Sequence, residues 1–415
     1  MTKEHLEAGR SVVKTLVKAG HTAYFNGGWV RDFLLKIPSD DIDIATTASP
    51  DEVQRLFDKT IPVGVAFGVV IVVIHNHHFE VATFRKDRAY IDGRRPIGID
   101  PATPIEDAKR RDFTINGMYY DPLEEQLHDY VDGRIDLEKG IIRAIGDPDE
   151  RFAEDRLRMM RAVRYAARFH FIIEDETLKA IANHASELLN AVAIERIWQE
   201  FEKMTRYPHF DTALISMHRL GLLQAIFPIL SNLPLEDLEK RVMHLSRFST
   251  EAPTIASLFE LFPSSSIEQK IALCQRFKVS NRVKDFAAFH HNLEKLNVQP
   301  GQMGKYLDDF SWAKLYAHPD FDISFKVLAS RLKNEDCQIL MQETNQRKAR
   351  LAHSISRMRS NAPILRAAHL IAAGIKPGEV MGKLLELGEK LAVNDNLNSP
   401  DQILEKLKST DIWPM

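Results

Sequence analysis

The chain has 415 residues, 44% hydrophobic and 27% charged, a composition typical of a globular protein of two to four domains. The net charge of −3 disfavours RNA binding by bulk electrostatics, so any nucleic-acid contact must use local basic surfaces. We expect no membrane span and, from the polar N-terminus without an apolar signal core, a cytoplasmic protein. Cys274 and Cys337 make no zinc-type spacing or disulfide framework, which predicts buried or half-buried thiols.

The first part of the chain predicts mixed α and β structure, and the part after about residue 145 predicts helices only. Apolar spacing, glycine pairs and β-rich runs predict a helix over 3–19, a strand over 23–25, a helix over 30–35, a strand over 41–45, a helix capped by Ser49, and a hairpin over 69–84 with its turn at 75–78. The sequence therefore predicts an α/β head followed by several helical modules.

A glycine turn lies between the first predicted strand and the next helix, in Gly27-Gly28-Trp29-Val30-Arg31-Asp32. Two glycines let the backbone approach a phosphate, while the helix N-terminus and Arg31 supply donors and positive charge. Taken alone, the same pattern also fits an ordinary turn beside a surface arginine.

Two acids alternate in Asp41-Ile42-Asp43. Residues i and i+2 of a strand point to one face, so both carboxylates would face the same way and repel unless a cation lies between them. Mg²⁺ prefers such oxygen ligands together with substrate phosphates. Glu80, an acid inside an apolar strand, is the best third carboxylate, although it could also lie on the exposed face. Two Mg²⁺ ions would clamp an attacking hydroxyl and a leaving pyrophosphate.

Two arginine-rich segments follow. In Arg110-Arg111-Asp112-Phe113-Thr114-Ile115-Asn116 the arginines suit triphosphate oxygens, and Asp112 and Asn116 could contact a sugar or hold the arginines. In the second segment, EDRLRMMRAVR over 154–164, a continuous helix would place Asp155 and Arg158 at i and i+3, offering an acceptor and donors to a base edge. Arg161 and Arg164 would continue around the same side, within reach of phosphate or sugar. A solvated helix with charge pairs remains an alternative.

Taken in order, these segments resemble the class II tRNA nucleotidyltransferase and bacterial poly(A) polymerase family. The resemblance covers roughly residues 20–205. It is carried by the motifs GGWVRD, DDIDIAT, FEVATFR, a DGRRP loop over 92–96, RRDFTIN, EDRLRMMRAVR and IERIWQE over 194–200. Beyond about residue 210 the likeness is weaker.

The resemblance implies a polymerase-β-like mixed-sheet head, then an all-helical neck, body and tail in a seahorse arrangement, with borders at 1–145, 146–206, 207–290 and 291–415 and a tail that binds tRNA. It implies Mg²⁺ as cofactor and ATP, CTP and tRNA as substrates. The resemblance matches Asp41 and Asp43 to the metal-binding catalytic carboxylates, and Glu80 is the third catalytic carboxylate expected from the residues. The implied nucleotide contacts are Gly28, Arg31, Arg111, Asp155, Arg158, Arg161 and Arg164, to which the residue patterns add Gly27, Asp112 and Asn116. Glu195 and Arg196 match a neck motif that orients the base-reading helix.

Several activities share these motifs. CCA addition to tRNA is favoured over poly(A) addition because PVGVAFG over 62–68 lacks a basic GRRF-like phrase and the C-terminus lacks a strongly basic arm. The DGRRP loop disfavours CC-only addition, whereas A-only addition stays open. A non-catalytic RNA-binding module would not need Asp41 and Asp43, and a protein- or antibiotic-modifying nucleotidyltransferase would not need a base-reading pair.

Overall fold

The computed structural model describes residues 3–39, 41–64, 67–87 and 99–414. The chain divides into two compact units, Met1–Lys240 and Arg241–Met415. The predicted borders after residues 145, 206 and 290 remain predictions. In the described part of the chain, every helix is too short or too polar to cross a membrane. The DGRRP loop and part of PVGVAFG lie outside the described residues.

The first unit contains a mixed seven-stranded sheet in the order β3-β4-β5-β2-β1-β8-β9. Its strands and two small pairs are β1 Ala23–Asn26, β2 Asp43–Thr46, β3 Thr60–Gly64, β4 Val69–Ile74, β5 His77–Thr83, β6 Arg85–Asp87, β7 Ile99–Pro101, β8 Tyr119–Asp121, β9 Gln126–His128, β10 Ile141–Ile142 and β11 Ile172–Ile173. Within the large sheet β2 and β5 pair in parallel, and the other five pairs are antiparallel. The mixed-sheet head predicted from the sequence is confirmed.

Helices surround this sheet and then make up the rest of the chain. They are α1 Lys3–Lys18, α2 Gly28–Leu34, α3 Pro50–Leu56, α4 Pro104–Lys109, α5 Gly133–Lys139, α6 Pro148–Glu154, α7 Leu157–Phe169, α8 Asp175–His184, α9 Leu188–Ala191, α10 Ile194–Thr205, α11 Phe210–Arg219 and α12 Leu222–Ile226. They continue with α13 Leu235–Val242, α14 Thr254–Phe259, α15 Ile267–Arg276, α16 Asn281–Glu294, α17 Asp309–Ala317, α18 Phe321–Ala329, α19 Asn334–Arg350, α20 Ala352–Arg359, α21 Ala367–Ala372, α22 Glu379–Asn394 and α23 Pro400–Lys408. After residue 145, the described part of the chain has one strand, the two-residue β11, which pairs with β10.

Local signals explain the edges of several elements. Ser49 caps α3 in a reciprocal capping box with Glu52, as its position before Pro50 predicted. The hairpin turn is tighter than predicted, because only His75 and Asn76 lie between β4 and β5, both with positive φ (49° and 64°). Two such residues form the type I′ geometry that matches the strand twist.

Two predicted elements are corrected. The strand expected over 41–45 begins at Asp43, so Asp41 lies just before it. The helix expected through Asp155 is interrupted: α6 ends at Glu154, Asp155 adopts extended backbone (φ −149°, ψ 103°), and α7 begins at Leu157. Asp155 and Arg158 therefore do not share one helix.

The second unit encloses buried polar groups in its helical core. His290 is fully buried on α16, and its Nδ1 lies 2.7 Å from the hydroxyl of Ser324. Burial, together with the nearby charges of Arg331 and Lys270, lowers the pKa of His290 to about 4, against the opposing effect of Glu294. The imidazole is therefore held neutral. Cys274 is buried and Cys337 half-buried, both as free thiols, which confirms the prediction for the cysteines.

Acid is expected to destabilise the protein through His290. The unfolded chain binds the imidazole proton near pH 6.5, whereas the folded chain resists it down to about pH 4. His290 therefore costs the folded protein no stability above pH 6.5. Below that pH the free energy of unfolding decreases, by about 2 kcal/mol at pH 5. Urea unfolding at pH 7.5 and 5.0 should show a smaller loss for His290→Gln than for the wild type. His353→Gln, at an exposed position on α20, is the matched control and should follow the wild type. An equal loss in all three proteins would contradict this expectation.

Candidate active site

Three carboxylates meet at the centre of the large sheet. Asp43 begins β2 and is paired in register with Glu80 on the parallel strand β5, while Asp41 lies two residues earlier. Burial, together with the charges of Asp41 and Glu80, raises the pKa of Asp43 to about 7, against the opposing charge of Arg111. The pKa of Glu80 is raised by desolvation and by Asp41, against Arg85. The three acids thus act on one another, and Arg111 is the cation that offsets Asp43.

This arrangement fits a divalent cation that is shared with substrate. Over the described residues, no three His, Cys, Asp or Glu side chains form a ready-made metal cage. A hard cation such as Mg²⁺ is commonly held by one or two carboxylates together with substrate phosphates and water, not by a complete protein cage. The mutual repulsion at Asp43 is the charge that such an ion would neutralise.

The glycine turn lies beside these acids, because Asn26 at the end of β1 pairs with Asp43. Gly27 follows with φ +64° and ψ −126°, a conformation open essentially to glycine alone. A Cβ at Gly27 would also lie 3.1 Å from Nη1 of Arg111. Glycine is therefore needed both for the turn and for the approach of the arginine. Gly28 begins α2, and a Cβ there would lie 3.6 Å from Nη2 of Arg31, an ordinary contact.

Gly27→Ala is expected to weaken nucleoside triphosphate binding by about tenfold or more. The substitution imposes about 1–3 kcal/mol of backbone strain and displaces Arg111. Gly28→Ala is the matched variant, since it adds the same methyl group in a helical position with ordinary contacts, and its effect should be smaller. Titration calorimetry with CTP and ATP measures both. A Gly28→Ala defect as large as that of Gly27→Ala would contradict the role of the turn.

A buried aspartate on α4 holds the two neighbouring arginines. Asp107, 1% exposed, pairs with Arg110 at 2.7 Å and with Arg111 at 3.0 Å. It also accepts a 2.6 Å hydrogen bond from the hydroxyl of Tyr119. Burial would raise the pKa of Asp107, but the arginines and the hydrogen bonds outweigh it and hold the pKa at about 2. Asp107 therefore stays charged and fixes Arg111 beside the glycine turn, where its charge lowers the pKa of Asp43.

The predicted residues of the RRDFTIN segment form a second anchor. Asp112 accepts from Arg161 at 2.7 Å and from Asn116 Nδ2 at 3.1 Å, and Asn116 Oδ1 in turn accepts from Arg31 at 2.6 Å. Asp112 is buried, which would raise its pKa, yet Arg161 and Asn116 hold the pKa at about 2. Asp112 and Asn116 were expected either to contact a sugar or to hold the arginines. In the structure they hold Arg161 and Arg31.

The predicted base-reading residues have separate partners. Arg196 donates two hydrogen bonds, of 3.2 and 2.8 Å, to the two carboxylate oxygens of Asp155. Arg158, in the first turn of α7, pairs with Glu154 at 2.8 Å and donates to the backbone oxygens of Arg151 and Arg110. The two side chains therefore have separate ion-pair partners, and Asp155 also accepts a 3.1 Å hydrogen bond from the backbone N–H of Leu157 at the start of α7.

Arg164 is the last predicted nucleotide contact, and it lies on the inner side of α7. It pairs with Glu200 of α10 at 2.7 Å, and Glu200, 1% exposed, also binds Lys203 at 3.0 Å. Burial opposes the ionisation of Glu200, but Arg164, Arg161 and Lys203 together lower its pKa. The carboxylate therefore stays charged and fixes the position of Arg164.

Sequence reasoning missed the roles of the acids that hold the arginines, namely Asp107, Glu154, Glu200 and Asp32, the last of which pairs with Arg31 and Arg168. A signal existed for Asp107, which lies three and four residues before Arg110 and Arg111 on a helix started by the Thr103–Glu106 capping box. No local signal exists for Glu200, whose partner Arg164 is 36 residues away. The functional roles assigned to the site residues remain predictions.

Comparison with known proteins decides the family. Residues 23–143 match the Poly A polymerase head domain, and residues 170–233 match the probable RNA and SrmB-binding site of polymerase A. The CCA-adding enzyme of Bacillus velezensis is 39% identical over 293 residues, covering 70% of this chain and 72% of the relative. That of Streptococcus pyogenes serotype M5 is 31% identical over 412 residues, covering 97% and 96%.

The chain belongs to the CCA-adding enzyme family. The crystal structure of the Bacillus stearothermophilus CCA-adding enzyme in complex with CTP has the same fold, with a TM-score of 0.80 and 26% identity over 98% of this chain and 99% of that chain. The family predicted from the sequence motifs is thereby confirmed, together with the mixed-sheet head, the helical remainder and the classification as an enzyme.

Proposed function

We propose that this CCA-adding family member extends the 3′ end of tRNA with C, C and A, using CTP and ATP with Mg²⁺ and releasing pyrophosphate. The observation that carries the proposal is the placement of Asp43 and Glu80 in register beside an arginine cluster anchored by buried acids. Nucleotidyl transfer needs this combination of metal-seeking oxygens and triphosphate-binding guanidiniums.

Mg²⁺ would be held by Asp41 and Asp43, with Glu80 adjacent. When bound, it would lower the pKa of the RNA 3′-hydroxyl and neutralise charge on the triphosphate. Arg111 lies beside the glycine turn and close enough to Asp43 to lower its pKa, and it would bind phosphate oxygens there. Arg31 and Arg161, both tied to the Asp112–Asn116 pair, would bind further oxygens of the nucleotide.

Base selection is assigned to Asp155 and Arg158. A carboxylate accepts from the exocyclic amine that C and A share, whereas U and G present a carbonyl to the same lone pairs. A guanidinium donates to ring or carbonyl acceptors of the base. The Arg196 clamp on Asp155 and the Glu154 contact of Arg158 would orient each group before the nucleotide arrives.

Binding of the tRNA body is assigned to the second unit, in line with the tRNA-binding tail predicted for residues 291–415. The last turn of α19 carries Arg347, Lys348 and Arg350, and that of α20 carries Arg357 and Arg359. Lys348, Arg350 and Arg357 are paired with Asp322, Asp309 and Glu389, so the assignment of tRNA to this unit rests on the family likeness and not on unpaired basic side chains. A cytoplasmic location also belongs to the proposal.

One assay tests the proposal and its alternatives. Purified protein is incubated with tRNA lacking CCA and with an unstructured RNA, each with CTP, ATP or both, and the products are sized. Addition of two C residues and one A to tRNA alone is the expected result. A long A tract on both RNAs would instead identify a poly(A) polymerase, and addition of A only to tRNA ending in CC would identify an A-adding enzyme.

A further inference from the structure

Tyr165, on α7, is a buried aromatic residue to which the proposed chemistry assigns no role. Its side chain is 7% exposed and stacks on Phe169 with ring centroids 6.2 Å apart. Three guanidinium groups converge on its ring: those of Arg164 at 4.2 Å, Arg31 at 5.1 Å and Arg161 at 5.7 Å from the centroid. An ordinary core aromatic has apolar neighbours, so this convergence of cations is the feature that requires an explanation.

The three arginines come from two elements, α2 and α7, and would repel one another in a site closed to water. Each is held from one side by a buried polar partner: Arg161 by Asp112, Arg164 by Glu200 and Arg31 by Asn116. The negative face of an aromatic ring attracts cations, most strongly where they are desolvated. Tyr165 therefore supplies a common attraction for the three cations.

Asp32 closes a ring of contacts around Tyr165. It accepts from Arg31 at 2.8 Å and from Arg168 at 3.0 Å. The hydrogen bonds thus run from Arg161 through Asp112, Asn116, Arg31 and Asp32 to Arg168. Arg161 and Arg168 both belong to α7, four residues before and three residues after Tyr165. A continuous polar chain therefore leaves α7, passes through the glycine-turn helix and returns to α7.

We propose that Tyr165 is a positioning residue that fixes Arg31, Arg161 and Arg164 at one spacing, ready for a nucleoside triphosphate. This inference rests on the proposed function and adds to it a determinant of nucleotide affinity. Groups fixed in advance need not be ordered when the ligand binds. The aromatic ring carries this role, because among the described residues the Tyr165 hydroxyl makes a single hydrogen bond, a 3.3 Å contact in which it accepts from Arg161. The affinity for CTP and the affinity for ATP should both depend on the ring, because the three arginines that it positions would bind the phosphate groups common to both nucleotides.

The test compares Tyr165→Leu and Tyr165→Phe with Phe201→Leu. Phe201 is fully buried in the same unit and packs against the rings of Phe210 and Phe227, so its variant controls for loss of a core aromatic. Calorimetry measures CTP and ATP binding without RNA, and transfer assays give KM and kcat. Tyr165→Leu should weaken binding and raise KM for both nucleotides by about tenfold or more, with a smaller change in kcat. Tyr165→Phe and Phe201→Leu should bind within about twofold of the wild type.

Several outcomes would overturn the inference. Wild-type affinity in Tyr165→Leu would make Tyr165 a core residue only, and an equal defect in Tyr165→Phe would assign the effect to the hydroxyl. If Tyr165→Leu does not fold, the same binding measurement is made on Asp32→Asn. This variant keeps the shape of the side chain but removes the charge that joins Arg31 to Arg168. Weakened binding by Asp32→Asn supports the inference, and wild-type affinity overturns it. A wild-type protein that binds neither nucleotide would overturn the proposed function and this inference together, whereas the other outcomes leave the proposed function standing.

Discussion

Asp43→Asn is expected to lower the rate of both C and A transfer by about 1,000-fold or more, because losing a metal ligand removes about 4 kcal/mol of transition-state stabilisation. Asparagine keeps the size of the side chain and removes only its charge. Above pH 7 the variant should also melt at a higher temperature than the wild type. The neutral amide removes the repulsion and desolvation that raise the pKa of Asp43 to about 7.

Single-turnover incorporation with each nucleotide and thermal unfolding at pH 8 measure the two effects. Asp41→Asn should give a loss of the same order. Asp58→Asn, an exposed aspartate of the same unit, is the matched control and should leave transfer unchanged. Near-normal transfer by Asp43→Asn would show that Asp43 is not a metal ligand. A loss of activity accompanied by a lower melting temperature would mean that the residue is structural.

Asp155→Ala is expected to relax nucleotide selection, raising UTP or GTP incorporation relative to CTP and ATP by about tenfold or more. In a closed pocket, an unpaired polar group costs about 1–3 kcal/mol, and Asp155 would impose that penalty on bases that present a carbonyl. The overall rate should fall less than for Asp43→Asn. Because Arg196 grips both oxygens of Asp155, Arg196→Ala should relax selection in the same direction.

Incorporation of a single nucleotide, measured with each of the four triphosphates, distinguishes the possibilities. Arg134→Ala, which removes an exposed arginine paired with Glu138 on α5, is the matched control for Arg196→Ala. Strict preference for C and A in what remains of Asp155→Ala activity would show that Asp155 only joins two helices. Relaxed selection in Asp155→Ala but not in Arg196→Ala would show that the clamp is dispensable.

Much of the site was predictable because its signals are local. The glycine pair predicts the turn, the alternation of Asp41 and Asp43 predicts apposed acids, and the capping residues predict where helices begin. Each of these depends on residues a few positions apart, whose preferred geometry is the same in many proteins. The break at Asp155 was not predictable in this way, since EDRLRMMRAVR has helical periodicity throughout. The chain leaves the helix there, and Asp155 is paired with Arg196, 41 residues away.

By itself, the sequence determined a mixed α/β head followed by helices, the family and most of the charged residues that were assigned to the site. The tertiary structure alone decided which charges meet. The parallel register that sets Glu80 opposite Asp43, the anchoring of Arg164 by Glu200 and the convergence of three arginines on Tyr165 all join residues distant in sequence. An ion pair between exposed side chains contributes little to the free energy of unfolding, so the spacing of charges in the sequence does not predict which pairs form. Burial makes an unpaired charge costly, and the packing of the core therefore determines which partner each charged group has.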